Sequence, residues 1–415
     1  MNSALKYLFE VFRTHHKQLY IVGGAVRDGL IGENPDDFDL TTNALPIEME
    51  CWFDHVVTIG KRFGTVGVAL EDKIYEITTF RREADYSDGR HPEKIIFTDD
   101  VREDVARRDF TINGLLMDER GCILDYVGGL RDIKAGLIRC IGNPDWRFEE
   151  DKLRKWRCVR LATEKKMEIE KVTRNALEAD TSINGVSMER IWSELTRIIR
   201  SKKVTWGGYL LVKTGLYSEL LRKIIPDYGE RNEEHLVENF EIMAYLPQNL
   251  ALRLAALILF MHEEERCCFL ETLHCPNKEA AMAMKYCRYF RLNTKDILQF
   301  KVALADFGPA QAEDLWDFQQ GLSEWENNKK HLIEIEENRR VFHRIMKNKE
   351  PLMLADLLVN GEDIENLGYK DRKIGVILKQ LLERVYVYPE DNTKDKLLAY
   401  LERDKNGKTD IPKSD

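Results

Sequence analysis

No stretch of this 415-residue chain approaches the ~20 consecutive apolar residues that a membrane-spanning helix requires, and the longest runs, such as Leu254 to Met261, stop far short. The N-terminus lacks the basic, apolar, small order of a signal peptide. Eight cysteines are scattered without a single CxxC pair, which excludes a disulfide scaffold and points to reduced thiols in a cytoplasmic setting. The cluster Cys267, Cys268, His274 and Cys275 has none of the common zinc spacings and reads as ordinary thiols. Glycine (25) and proline (11) are too scarce for a collagen-like or disordered chain. Positive charge is also deficient, 63 Lys and Arg against 72 Asp and Glu, which argues against indiscriminate RNA binding. Neither a membrane nor an obligate protein partner is expected.

What is present suffices for several cores. With 43% hydrophobic residues, a chain of this length divides into two to four domains at roughly 100–200 residues each. The first 135 or so read as α+β: a helical start over 4–16, an apolar strand over 18–22 ending in Gly23-Gly24, and a helix from 25 to 30. Residues 38–42 read as a second strand, and 65–70 with 74–80 as a hairpin around Glu71-Asp72-Lys73. From Phe148 onward glycine and proline thin out and apolar residues recur at threes and fours, so the remainder should be helical. Residues 139–203 reverse the charge, with 16 Lys and Arg against 11 Asp and Glu. The last residues, 404–415, are polar and expected to fray.

The first stretch that carries chemistry is Ile21-Val-Gly-Gly-Ala-Val-Arg-Asp28, followed by Asp37-Phe-Asp39-Leu-Thr-Thr42. Two glycines between strand and helix let backbone N–H groups approach a phosphate at Gly24, with Arg27 as a clamp. An Asp-x-Asp strand directs both carboxylates, Asp37 and Asp39, to one side. Like charges so placed are unfavourable unless a cation lies between them. Hard oxygen ligands favour Mg²⁺, and two such ions activate an attacking oxygen and neutralise a leaving pyrophosphate. Either half alone is more simply a glycine turn or a solvated acidic strand; together they favour nucleotidyl transfer. Glu76 is a candidate third carboxylate and base for a ribose hydroxyl, its plainer reading being an exposed strand glutamate.

Four further signatures follow in order. Thr78-Thr-Phe-Arg81 to Arg90-His-Pro92 precedes Glu103-Asp104-Val-Ala-Arg107-Arg108-Asp109-Phe-Thr-Ile-Asn113. Then come Arg147-Phe-Glu-Glu150-Asp151-Lys-Leu-Arg154-Lys-Trp-Arg157-Cys-Val-Arg160 and Glu189-Arg-Ile-Trp-Ser-Glu194-Leu195. With the first motif, these resemble the class II tRNA nucleotidyltransferases, the bacterial CCA-adding enzymes and their poly(A) polymerase relatives. The resemblance implies addition of CCA to a tRNA 3′ end from CTP and ATP. It puts the triphosphate or ribose on Gly24, Arg27 and Arg108, and makes Asp109 and Asn113 organise the pocket wall. The segment 81–92 looks like the family's flexible loop.

Asp151, Arg154, Arg157 and Arg160 recur every third residue, so on a helix each neighbours the next. A carboxylate accepts from an exocyclic amine, and a guanidinium donates to ring acceptors; cytosine and adenine offer both. Guanine and uracil invert that order and would leave groups unpaired, at ~1–3 kcal/mol each. The competing reading is a surface salt bridge at i,i+3, worth ~0.2–0.5 kcal/mol. Lys152, Lys155, Lys165, Lys166, Lys171 and Arg174 either face the tRNA acceptor stem or are simply a solvated face.

Departures from the family pattern are Trp156, Leu161 and Gly114, of which Trp156 is expected to reshape the pocket. A segment starting near His235 resembles an HD-type domain, yet 252–260 lacks the His-Asp pair. The expected organisation is α+β: a mixed-sheet catalytic head (1–138), then an all-helical neck bearing the nucleotide-selecting helix (139–203), a degenerate HD-like body (204–330) and a tRNA-gripping tail (331–415). Within the family, A-only, CC-only and poly(A) activities are the alternatives; outside it, a non-catalytic RNA-binding relative.

Overall fold

The computed structural model of the chain describes residues 2–35, 37–60, 63–71, 73–86, 92–225, 228 and 234–405. Helix α1 (Ser3–Thr14) starts where the Asn2 side chain accepts from the Leu5 N–H, and strand β1 (Leu19–Val22) follows. Next come α2 (Gly24–Leu30), β2 (Asp39–Thr42), α3 (Pro46–Trp52) and strands β3 (Val56–Gly60), β4 (Thr65–Leu70) and β5 (Lys73–Thr79). The expected hairpin is β4–β5, with Leu70 opposite Lys73. A separate antiparallel pair, β6 (Arg81–Tyr86) and β7 (Pro92–Phe97), carries the flexible-loop signature, whose residues 87–91 lie outside the described residues, as do 406–415 of the expected frayed terminus. After α4 (Val101–Ala106) come β8 (Leu116–Met117), β9 (Ile123–Leu124), α5 (Gly129–Ala135) and β10 (Leu137–Ile138).

The sheet order is β3-β4-β5-β2-β1-β8-β9, with β2–β5 parallel and the other pairs antiparallel, so the head sheet is mixed. Leu5, Leu8, Phe9 and Phe12 of α1 pack on one face against Ile21, Leu40, Val66 and Ile77. Val101 and Val105 of α4 meet Val22, Phe80 and Leu116 in a separate cluster. Burying these alternating apolar positions leaves the C-terminal end of β1 and the start of β2 open, and both run into the glycine turn and the aspartates.

Beyond residue 148 the described chain is helical except for β11 (Glu168–Ile169), a two-residue partner of β10. Helices α6 (Pro144–Glu150), α7 (Leu153–Lys165), α8 (Lys171–Ala179) and α9 (Met188–Arg200) follow the head. The chain forms two compact units, 1–240 with 261–275, and 241–260 with 276–415. In the second, the helix Leu250–Ile258 is buried on every side, as its apolar residues all round demand, and its one charged residue, Arg253, donates to the Pro247 carbonyl. Trp316 stacks on Phe300 at 5.6 Å between ring centroids in the same unit. No helix among the described residues is long and apolar enough to cross a membrane.

Candidate active site

A cleft of about 680 Å³ opens at the end of β1 and is lined by Gly23, Gly24, Arg27, Asp37, Asp39, Arg108, Asp109, Asp151, Arg154, Arg157 and Arg160, among others. Its described lining holds eight arginines against five aspartates, although the chain as a whole is acidic. That excess suits a polyanion.

The carboxylate end is built by strand pairing. Val22 lies opposite Asp39, so the aspartate abuts the turn at Gly23, whose φ of 74° is a conformation that favours glycine. A Cβ at Gly23 would stand 3.8 Å from Asp39 Oδ2. On the other side Leu40 pairs with Ile77, and one step back in that parallel register Asp39 stands beside Glu76. Asp37 precedes the strand, which begins only at Asp39, so strand alternation does not orient both carboxylates as expected; both nonetheless line the cleft. Burial and then the Asp37 charge push the Asp39 carboxyl up, against Arg108 and Arg157. Burial, Asp39 and Asp37 push Glu76 up too. Among the described residues no three acidic, His or Cys side chains converge on one metal position, which also holds for Cys267, Cys268, His274 and Cys275. Two mutually repelling aspartates with oxygen donors suit Mg²⁺, which commonly takes one or two carboxylates and completes its shell with substrate phosphates and water.

The rest of the cleft is a chain of paired charges. Arg27 Nε donates to Asp28 Oδ1 (2.8 Å) and its Nη1 to Asn113 Oδ1 (2.5 Å). Asn113 in turn donates to Asp109 Oδ1 (3.0 Å), and Arg157 holds Asp109 Oδ2 through Nε (3.0 Å) and Nη2 (2.7 Å). Burial pushes the Asp109 carboxyl up, but Arg157 and Asn113 outweigh it and hold it at about 2. Asp104, fully buried, joins Arg107 (2.7 Å) and Arg108 (2.8 Å) and lies 3.3 Å from the Thr41 hydroxyl on β2. Burial again pushes this carboxyl up, and the two guanidiniums more than reverse it. Arg108 Nε is buried without a partner.

The nucleotide-selecting segment differs from the single helix expected. The helix breaks at Asp151, which is extended (φ −147°, ψ 104°) between α6 and α7. The Arg154 N–H donates to the Asp151 carbonyl (2.9 Å), while the Asp151 carboxylate takes other partners: its Oδ1 accepts from the Leu153 N–H (3.0 Å) and its Oδ2 from Arg190 Nη2 (2.8 Å). Arg154 Nη1 instead donates to Glu150 (2.5 Å) and to the Arg147 carbonyl (3.0 Å). Arg160 is 4% exposed and ties α7 to Glu194 of α9 and to Glu164 (2.7 Å to the latter). Both members of the expected template line the cleft, but each arrives with a different partner.

Several expectations for α7 are corrected by which way its faces point. Trp156 is fully buried and absent from the cleft lining, so it packs the core and does not reshape the pocket, whereas Leu161 does line it. A Cβ on Gly114 would come within 2.8 Å of Val127, which accounts for glycine there. Of the basic residues, the Lys155 side chain is fully buried and pairs with Asp180 (2.6 Å), while the Lys165 side chain is 8% exposed and bridges Asp28 (2.8 Å) and Glu33 (2.6 Å). Neither belongs to a solvated or RNA-facing surface. Lys166 and Lys171 are exposed. Sequence reasoning passed over Asp104, Arg107, Arg190 and Arg197; the first three lie within quoted signatures, but nothing in their spacing reveals a partner as distant as the 39 residues from Asp151 to Arg190.

A model of the poly A polymerase head domain matches residues 19–139, and one of the probable RNA and SrmB-binding site of polymerase A matches 166–227. The CCA-adding enzyme of Bacillus velezensis is 32% identical over 386 residues, covering 92% of this chain and 92% of that protein. The chain belongs to the class II tRNA nucleotidyltransferases. The CCA-adding enzyme of Staphylococcus saprophyticus is likewise 32% identical over 389 residues, with 92% of each chain covered. The crystal structure of the Bacillus stearothermophilus CCA-adding enzyme in complex with CTP superposes with a TM-score of 0.78 at 26% identity, covering 98% of this chain and 99% of that one. In this tRNA nucleotidyltransferase the head-domain match contains Gly24, Arg27, Asp37, Asp39, Glu76 and Arg108. Asp151 to Arg160 fall between the two matches, and Arg190 lies in the second.

Proposed function

We propose that the protein adds CCA to the 3′ end of tRNA, taking CTP and then ATP and releasing pyrophosphate at each step. The observation that carries this reading is one cleft in which a repelling aspartate pair faces an arginine-rich wall ending in Asp151 and Arg154. Relatives at 32% identity over nearly the whole chain are named for CCA addition, which supports the same reading.

Gly24 and Arg27 hold the triphosphate at the start of α2, and Arg108, anchored by Asp104, offers it a second guanidinium. Asp37 and Asp39 would hold Mg²⁺, which when bound would supply positive charge to the triphosphate and lower the pKa of the attacking hydroxyl. Glu76, its own carboxyl pushed up, is poised to take the proton of the tRNA 3′-hydroxyl. The hydroxyl oxygen bonds to the α-phosphorus as the bond to the β-bridging oxygen breaks, so pyrophosphate leaves. Asp151 accepts the exocyclic amine shared by cytosine and adenine, and Arg154 donates to a ring acceptor. Arg157 and Arg160 act behind them, since their guanidiniums are held by Asp109 and Glu194. The tail, 331–415, and the exposed lysines Lys166 and Lys171 are assigned to tRNA.

Incubating the protein with tRNA ending before C74, after one C or after two, each with a single labelled nucleotide, tests the reading. Sequential C, C and A incorporation is expected. Addition of A alone to the CC-ended tRNA would reduce it to an A-only enzyme, and the absence of any incorporation would overturn it.

A further inference from the structure

The base-reading carboxylate has an unexpected neighbour. Arg190, in the first turn of α9, lines the cleft beside Asp151, Arg154 and Arg157. Its Nη2 donates to Asp151 Oδ2 at 2.8 Å, while the other carboxylate oxygen is fixed by the Leu153 N–H at 3.0 Å. Each Asp151 oxygen therefore has one protein donor, and the plane of the carboxylate is set before any nucleotide arrives. The Leu153 N–H at the start of α7 fixes only one of the two oxygens, so this long-range clamp from Arg190 is what fixes the other.

Arg190 also carries an unused donor. Its Nη1 is shut off from solvent and has no hydrogen-bond partner. A buried guanidinium N–H without an acceptor is costly, and such groups are rare in folded proteins unless a ligand or water completes them. The side chain as a whole is 22% exposed and borders the cleft, but Nη1 itself is closed off from it, so Arg190 acts on a nucleotide through the Asp151 carboxylate.

We infer that Arg190 is a specificity-determining positioning residue: it orients the Asp151 carboxylate toward the exocyclic amine of cytosine or adenine. This rests on the assignment of Asp151 as the amine acceptor. The recognition unit is then Asp151 with Arg154 from the α6–α7 break and Arg190 from α9. Arg154 and Arg190 are not equivalent, because Arg154 is tied to Glu150 whereas Arg190 is tied to the reading carboxylate itself.

The test is nucleotide-by-nucleotide kinetics on CCA-lacking tRNA with the full chain. Four variants are needed: Arg190→Ala, Arg190→Lys, Asp151→Ala and the Asp151→Ala/Arg190→Ala double variant. Their thermal midpoints and tRNA affinities are recorded alongside. Arg190→Ala should lower the CTP-over-UTP ratio of kcat/KM by about tenfold or more, as loss of a charge-assisted contact requires. Arg190→Lys keeps one charge but not the fork, so it should restore only part of that ratio. In the double variant discrimination should be no worse than in Asp151→Ala, because Arg190 acts through that carboxylate. If Asp151→Ala relaxes discrimination while Arg190→Ala and Arg190→Lys keep the wild-type ratio, the role of Arg190 is refuted and the template stands. Additive losses in the double variant would also refute it. If Asp151→Ala leaves discrimination unchanged, the template assignment itself fails. Should Arg190→Ala not fold, Arg190→Lys with an unaltered ratio is sufficient to overturn the inference.

Discussion

Two sets of aspartates, in and just behind one cleft, have opposite electrostatic lives. Asp37 and Asp39 repel each other, and burial with that repulsion pushes Asp39 and the neighbouring Glu76 up. Asp104 and Asp109 are more deeply enclosed, yet Arg107, Arg108 and Arg157 pull both down, Asp109 to about 2. One end of the cleft stores unfavourable charge that a cation can relieve. The other end neutralises itself and serves to aim guanidiniums. A crowded acid thus marks a reactive position only when its neighbours leave it unpaired.

The strongest way to break that comparison is to remove the repelling pair. Asp37→Ala and Asp39→Ala should each cut incorporation of both C and A by about a thousandfold, roughly 4 kcal/mol in the barrier. tRNA affinity, read by filter binding, should hardly change. Retention of a tenth of wild-type turnover would mean that these carboxylates hold no essential metal.

Next in size is the paired end. Asp109→Asn leaves the Arg157 guanidinium without its carboxylate and should cost about 1–3 kcal/mol of stability in urea or thermal melts. The same substitution should flatten the acid limb of stability. Because Asp109 sits below the ordinary carboxylate value of ~3.9, its contribution is complete above about pH 4 and fades as pH falls toward 2. Acid titration of wild type and variant should therefore converge in that window. Parallel curves would show that the pairing contributes nothing.

Smallest is the gain expected from relieving the repulsion. Asp39→Asn should raise the melting midpoint at pH 7 slightly while abolishing turnover, by well under 1 kcal/mol since the Asp39 carboxylate, although crowded by neighbouring atoms, opens onto the solvent of the cleft. The sign follows from linkage: a carboxyl pushed up in the folded state costs stability once pH exceeds its value, and the amide removes that cost. Added Mg²⁺ should stabilise the wild type and lose this effect in the variant. A variant less stable than wild type, or one still stabilised by Mg²⁺ to the same degree, would contradict the contrast.

The amino-acid sequence alone determined the parts whose cause is local. Alternating apolar residues made β4 and β5 legible, with 65–70 matched in full and the second strand shifted by one residue. A strand running into Gly23-Gly24 announced the turn at the cleft, and the period of three and four announced the helices after 148. The five signatures were enough to gather Gly24, Arg27, Asp37, Asp39, Arg108, Asp151 and Arg154 as cleft residues, because each lies on, or within two residues of, an element whose type local pattern decides.

Only the tertiary structure decided how those residues pair. The break at Asp151 takes that residue off the helix that carries Arg154, Arg157 and Arg160, so the four do not share one continuous helix. Trp156 and Lys155 then turn inward, and Arg157 reaches Asp109, 48 residues earlier. Arg190 meets Asp151 only because α9 packs along α7, with Ile191, Leu195 and Ile198 buried on its inner face. Helical period fixes which side chains leave together on one side, but the partner each finds depends on the angle and offset between elements far apart in the chain. Those are set by packing of the buried faces, which no local spacing encodes.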